Sequence, residues 1–166
     1  MQAIVDGLIL AWEKNSDYAE RLVADLSAEQ MIAQPAPEGK APSNHPAWIL
    51  SHLNVYHPII GSLIEGEKFE DPKGNQFGMD SKPQADGSIY ASKDELISTF
   101  VAGHKSVTEK LKNASPDFFE NEVMLERWKS SFPKAGYALP YLMLLHENLH
   151  LGQLSAWRRI QGMPSV

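Results

Sequence analysis

The chain contains no cysteine. A disulfide framework, a thiolate zinc knuckle and a cysteine nucleophile are excluded together, so any thiol chemistry must draw its sulfur from a small molecule. Positive charge is also scarce: 15 Lys+Arg stand against 21 Asp+Glu, a formal net charge of −6. A sequence-independent grip on nucleic-acid phosphates needs the opposite balance, and no nucleic-acid partner is expected. The one dense basic spot, Arg158-Arg159, reads as a solvated helix face. Long apolar runs are missing too. Gly7 to Trp12 and Ala138 to Leu145 fall far below the ~20 residues of a membrane span. The first residues, Met1 to Asp6, carry no basic signal-peptide region. The expectation is a cytoplasmic protein with no membrane attachment. Repeats, low-complexity tracts and convincing period-two alternation are likewise absent.

What remains is 166 residues, 43% apolar and 22% charged, the composition of one globular domain spanning 1–166. Four segments carry helical periodicity. The first runs from about Gln2 to Leu26, with Ile4, Leu8, Ala11, Tyr18, Leu22 and Leu26 on one stripe. Ser27 to Asn44, with Pro35, Pro37 and Pro42, reads as a loop. The second segment opens at Pro46, where a missing N–H costs nothing, and ends near Gly66; Pro58 inside it predicts a kink or break. Its stripe is Ile49, His52, Tyr56, Ile59 and Leu63. The third follows a capping box at Ser92-Lys93-Asp94-Glu95 and aligns Ile97, Phe100, His104, Val107 and Leu111. The fourth opens around Pro140 and runs to about Gln161, aligning Leu139, Met143, His146, His150, Gln153, Trp157 and Ile160. The pattern predicts an all-α four-helix bundle whose long connections allow at least one crossover.

Six histidines concentrate the chemistry. His146 and His150, four apart, project from one helix face about a turn apart, a spacing at which two nitrogens reach one metal. A lone histidine on an apolar stripe is more often a satisfied core residue; a pair with a third imidazole on another inner stripe is not. The run His146-Glu147-Asn148-Leu149-His150 also matches the H-E-x-x-H of metalloproteases. No His, Asp or Glu follows His150 to complete such a site, so the third ligand lies upstream. His52, on the inner stripe of the second segment, is the choice. His57 lies about 140° round the same helix and cannot face the same point. His45 precedes Pro46, at a pocket rim or in solvent, and His104 reads either as a fourth site residue or as a core histidine.

The segment His45-Pro46-Ala47-Trp48-Ile49-Leu50-Ser51-His52-Leu53, with His146 to Leu154 and the tail Ser155 to Pro164, resembles the DinB-like superfamily. The resemblance implies an up-down-down-up bundle with a metal held by His52, His146 and His150, commonly zinc or nickel. It also implies a homodimer, with Phe77, Phe118, Phe119 and Phe132 as candidate exposed aromatics. Several such proteins are thiol-dependent transferases or isomerases that use a low-molecular-weight thiol. The function expected is therefore a metal-dependent enzyme of that type, or a hydrolase, acting on a small molecule. A non-catalytic metal-stabilised binding module of the same fold is the alternative. Three imidazoles leave a coordination position open; Glu147 is the candidate general base, with a solvated or helix-pairing carboxylate as the competing reading. Gln153 is the candidate partner for a ligand's second nitrogen. Trp48, Tyr56 and Trp157 read as core aromatics before substrate platforms, and Asn44 is a weaker candidate contact.

Overall fold

The computed structural model describes residues 2–36 and 43–166. Pro37 and Pro42 of the expected loop lie outside the described residues. Helix α1 spans Gln2–Val23, the short α2 Ala28–Met31, α3 Pro46–Glu65, α4 Lys93–Asn113, α5 Ala135–Pro140 and α6 Glu147–Ile160. A π-helical turn, Tyr141–His146, joins α5 to α6, so they form one long helical run. The connections 66–92 and 114–134 hold short 3₁₀ turns. Among the described residues there is no strand, only an isolated bridge between Glu122 and Lys134. The fold is all-α, as the periodicity predicts. Helices α1 and α3 each pack against both α4 and α6.

Local chemistry explains most boundaries. Ser92 and Glu95 form the expected capping box on α4: the Glu95 N–H donates to Ser92 Oγ and the Ser92 N–H to Glu95 Oε2. A second box, Ser27 with Gln30, starts α2 inside the presumed loop. Gly66, at φ 69°, ends α3 in the left-handed conformation that glycine adopts without strain. Helix α3 continues through Pro58, whose side chain faces solvent, so the expected break does not occur. The fourth segment begins at Ala135, five residues before the expected start. Pro140 cannot donate to the preceding turn, and the wider π turn follows directly.

The inward face of α1 carries Val5, Leu8, Trp12, Ala19, Leu22 and Val23, while Ile4 is exposed. The stripe therefore runs beside the expected one. Arg158 is also not solvated: it is 1% exposed and donates to the carbonyls of Leu22 and Pro164 and to the Asp25 carboxylate. Its neighbour Arg159 is the exposed one.

Two apolar clusters fill the bundle. One contains Trp12, Ile60, Val107, Leu139 and Met143, the other Trp48, Leu50, Phe100, Leu151 and Trp157. Every long helical run contributes to both clusters. The changeover falls at or beside buried polar residues: Asn15 on α1, His52 and His57 on α3, His104 on α4, Glu147 and His150 on α6. Buried polar groups are costly unless partnered, so this layer is where the fold departs from pure packing.

Candidate metal centre

Helix α3 supplies His52, and the end of the π turn and the first turn of α6 supply His146 and His150. One nitrogen from each can be chosen so that all three lie within 4.8 Å of one another. The Nε2 atoms of His52 and His146 are 3.0 Å apart. Ring orientation is fixed from behind. His52 Nδ1 faces the Phe77 carbonyl at 2.6 Å; a carbonyl only accepts, so Nδ1 carries the proton and Nε2 is left as a bare lone pair. His150 Nδ1–H donates to Gln153 Oε1 at 3.0 Å, and Asn44 Nδ2 donates to the same oxygen at 3.0 Å. Gln153 thus does what its spacing predicts, and Asn44 acts through it. Trp48 stacks on His52 with ring centroids 4.8 Å apart, and Tyr56 lies 4.5 Å from His146.

Burial pulls the basicity of these imidazoles down, to about 3 for His146 and about 4 for His150, with the neighbouring imidazoles adding to the effect. His52 is lowered by the same cause. All three are neutral at pH 7, the protonation state a metal ligand needs.

The triad opens on a pocket of about 410 Å³ lined also by Trp48, Tyr56, Gly78, Asp80, Arg127 and Tyr141. The loop carrying Phe77 is tightly folded. The Phe77 N–H donates to Asn75 Oδ1, the Met79 N–H donates to the Pro72 carbonyl, and a Cβ on Gly78 would sit 1.7 Å from that carbonyl oxygen. Only glycine fits there. Arg127 donates to both oxygens of Asp71, which holds the Asp71 carboxyl down at about 2.

The remaining candidates lie elsewhere. His45 is fully buried, neither at a rim nor in solvent. Its Nδ1 accepts from the Trp48 N–H and its Nε2–H donates to the Gln84 carbonyl, so it caps α3 and pins the 82–90 region. Trp157 donates to the Ala33 carbonyl and is structural. Glu147 is 2% exposed and does not line the pocket. Its Oε2 is 3.1 Å from His104 Nε2 and 3.9 Å from His57 Nε2, and burial pushes its carboxyl up to about 7. His57, His104 and Glu147 form a separate buried group. Phe118 is buried and Phe77, Phe119 and Phe132 are packed against the core. The exposed apolar side chains include Tyr137, Tyr141, Leu145 and Leu149, which lie on one helical run.

A profile of the DinB superfamily matches residues 11–154. The chain belongs to the DinB superfamily. No protein of curated function matches it significantly. The match runs from within α1 to within α6 and includes His52, His146 and His150 of the DinB bundle. Sequence reasoning missed the Phe77 carbonyl, because a backbone acceptor has no residue signature. It also missed Arg127 and Asp71, which pair across 56 residues. The Asn75-Gln76-Phe77-Gly78 turn was the one readable sign of that loop.

Proposed function

We propose that this DinB-superfamily chain is a divalent-metal-dependent enzyme acting on a small molecule, of the thiol-dependent transferase or isomerase type or a hydrolase, with zinc or nickel held by His52, His146 and His150. The observation that carries the reading is the convergence of three neutral imidazoles, two of them with Nε2 bared by a partner on Nδ1, beside an open pocket. The donor set fits a borderline divalent ion, for which imidazole is the common ligand. When bound, such an ion supplies Lewis acidity to an oxygen or sulfur ligand and eases loss of its proton near neutral pH.

The chain's own groups do the rest. Phe77 and Gln153 hold the His52 and His150 rings in register. Burial keeps the Tyr56 hydroxyl protonated, its pKa raised to about 12, so at the pocket wall it serves as a donor. Trp48 and Tyr141 give the pocket apolar walls. Glu147 is turned toward His104 and His57 and does not reach the pocket; the carboxylate that lines it is Asp80. With no cysteine in the chain, a thiol nucleophile enters as a low-molecular-weight cosubstrate.

The competing reading is a metal-stabilised module without turnover. An open pocket beside the triad favours the enzyme, since a purely structural site is closed. A homodimer is part of the proposal: Tyr137, Tyr141, Leu145 and Leu149 recur every four residues and leave an apolar stripe in water.

Protein purified without immobilised nickel is assayed for metal content and screened for thiol transfer and hydrolysis. His150→Ala is expected to lose metal and activity together. Full activity in metal-free His150→Ala would reject the reading.

A further inference from the structure

On the other flank of the α3–α6 contact lies a group that the proposed centre does not use. Each of its members is almost completely enclosed: His57 is 5% exposed, His104 3% and Glu147 2%. Among the described residues no lysine or arginine pairs with the Glu147 carboxylate; its titratable neighbours are the two imidazoles, which burial keeps neutral. An anion in that position needs a proton or a cation.

The tautomers narrow the choice. His104 Nδ1 faces the Trp12 carbonyl at 3.1 Å and must carry the proton, while the Trp12 indole N–H donates back to the His104 carbonyl. The indole also stacks on the His104 ring at 3.8 Å. His104 is thereby locked with its Nε2 lone pair aimed at Glu147 Oε2, acceptor against acceptor, 3.1 Å away. One proton between these two atoms would settle that pair alone. It would leave Glu147 Oε1 and both nitrogens of His57 without a hydrogen-bond partner, as they stand. The nearby Asn15 amide gives one N–H to the Met143 carbonyl and has a second within reach of Glu147, but it offers nothing to His57.

The His57 ring is also seated deliberately. A Cβ on Gly103 would fall 2.1 Å from His57 Nδ1, so the ring lies directly on the backbone of α4. A glycine inside a helix costs stability, and here it makes room for an imidazole that bonds to nothing. Of the separations of Glu147 Oε2 from the two imidazole nitrogens, 3.1 Å falls within the roughly 3.0–3.4 Å between ligands that share a metal at about 2.1 Å, and 3.9 Å exceeds it by about 0.5 Å, a gap that a small shift of the His57 ring closes.

We propose that His57, His104 and Glu147 form a second binding site, for one divalent first-row transition-metal cation in the bundle core. Two imidazoles and a carboxylate are donors that such cations accept. The cation gives His57 and Glu147 the partners they lack, and it ties α3, α4 and α6 together at mid-height. His104 also lines a groove of about 450 Å³ between α1 and α4, which brings solvent up to one member of the group. Being enclosed, this second site is a structural lock, whereas the triad faces a pocket.

Binding of Co²⁺ alone tests this. Metal-free wild type, His150→Ala and the double variant His150→Ala/Glu147→Gln are loaded by dialysis of the native protein and by refolding from denaturant with Co²⁺ present, so that slow access cannot hide a site. The proposal expects two equivalents in wild type, one in His150→Ala and none in the double variant. Should the double variant not fold, anomalous scattering from cobalt-loaded His150→Ala decides, with a peak expected at bonding distance from Glu147. No Co²⁺ in His150→Ala by either route overturns the proposal and leaves the group a proton-sharing network. One equivalent in wild type that survives His150→Ala but is lost in the double variant would instead support this site and reject the triad.

Discussion

The Nε2 atoms of His52 and His146 face each other at 3.0 Å, and the His52 nitrogen is a bare lone pair because its Nδ1–H is spent on the Phe77 carbonyl. Two imidazole nitrogens at that distance need a proton or a cation between them. Burial keeps His146 neutral, its pKa lowered to about 3, so the contact is either an Nε2–H···Nε2 hydrogen bond of the metal-free pair or the seat of a cation that takes that proton's place.

Removing the acceptor behind His150 is expected to loosen that cation without unfolding the bundle. Gln153→Leu deletes the Oε1 that both His150 Nδ1–H and Asn44 Nδ2 use. Loss of such an outer partner typically weakens metal affinity by about 10–100-fold. Competition with a chelator of known affinity measures the shift, and circular dichroism checks that helicity is retained. Unchanged affinity would remove Gln153 from the account.

Gly78→Ala is expected to act on the same site through the backbone. The new Cβ meets the Pro72 carbonyl at 1.7 Å, so the 72–79 loop must move and carry the Phe77 carbonyl off His52. We expect a destabilisation of about 1–3 kcal/mol together with weaker metal binding. A variant with wild-type Tm and affinity would show that the loop has room that its packing denies.

The helical segments and His52, His146 and His150 were legible because each rests on a local period: a step of four within one helix, and an inner stripe for His52. His57 was legible by the same rule as unable to join them. What period could not show was partnership across the chain. His104 lies 43 residues from Glu147 and 92 from Trp12, and nothing local links them. For Glu147 the helix angle left two readings, a base at the site or a solvated or helix-paired carboxylate, and its carboxylate faces the buried imidazoles of His104 and His57. Arg158 looked like a surface charge because its acceptors, Leu22 and Pro164, come from separate parts of the chain. The stripe of α1 slipped because Trp12, a buried anchor, was read as outside it.

Acid is expected to destabilise the metal-free protein. The folded pKa values of His104, His146 and His150, about 3, 3 and 4, lie below the ordinary 6.5. As pH falls through 6.5 the unfolded chain takes up protons that the folded chain refuses until pH 3–4, so stability present above 6.5 is lost between 6.5 and 4. Glu147 works the other way: its pKa is raised from 4.5 to about 7, so its contribution is lost as pH rises through that window. Three histidines oppose one carboxylate, and the net effect follows the histidines. Thermal unfolding of metal-free protein at about pH 7.5 and 5.5 should give the lower Tm at the acid value; an equal or higher one would contradict the sign.

The most direct test of the central claim is an anomalous difference map collected across the zinc edge from a crystal of zinc-loaded protein. The account predicts a peak within about 2.0–2.3 Å of the Nε2 atoms of His52, His146 and His150. A crystal that holds stoichiometric zinc with no peak among those three nitrogens would contradict it.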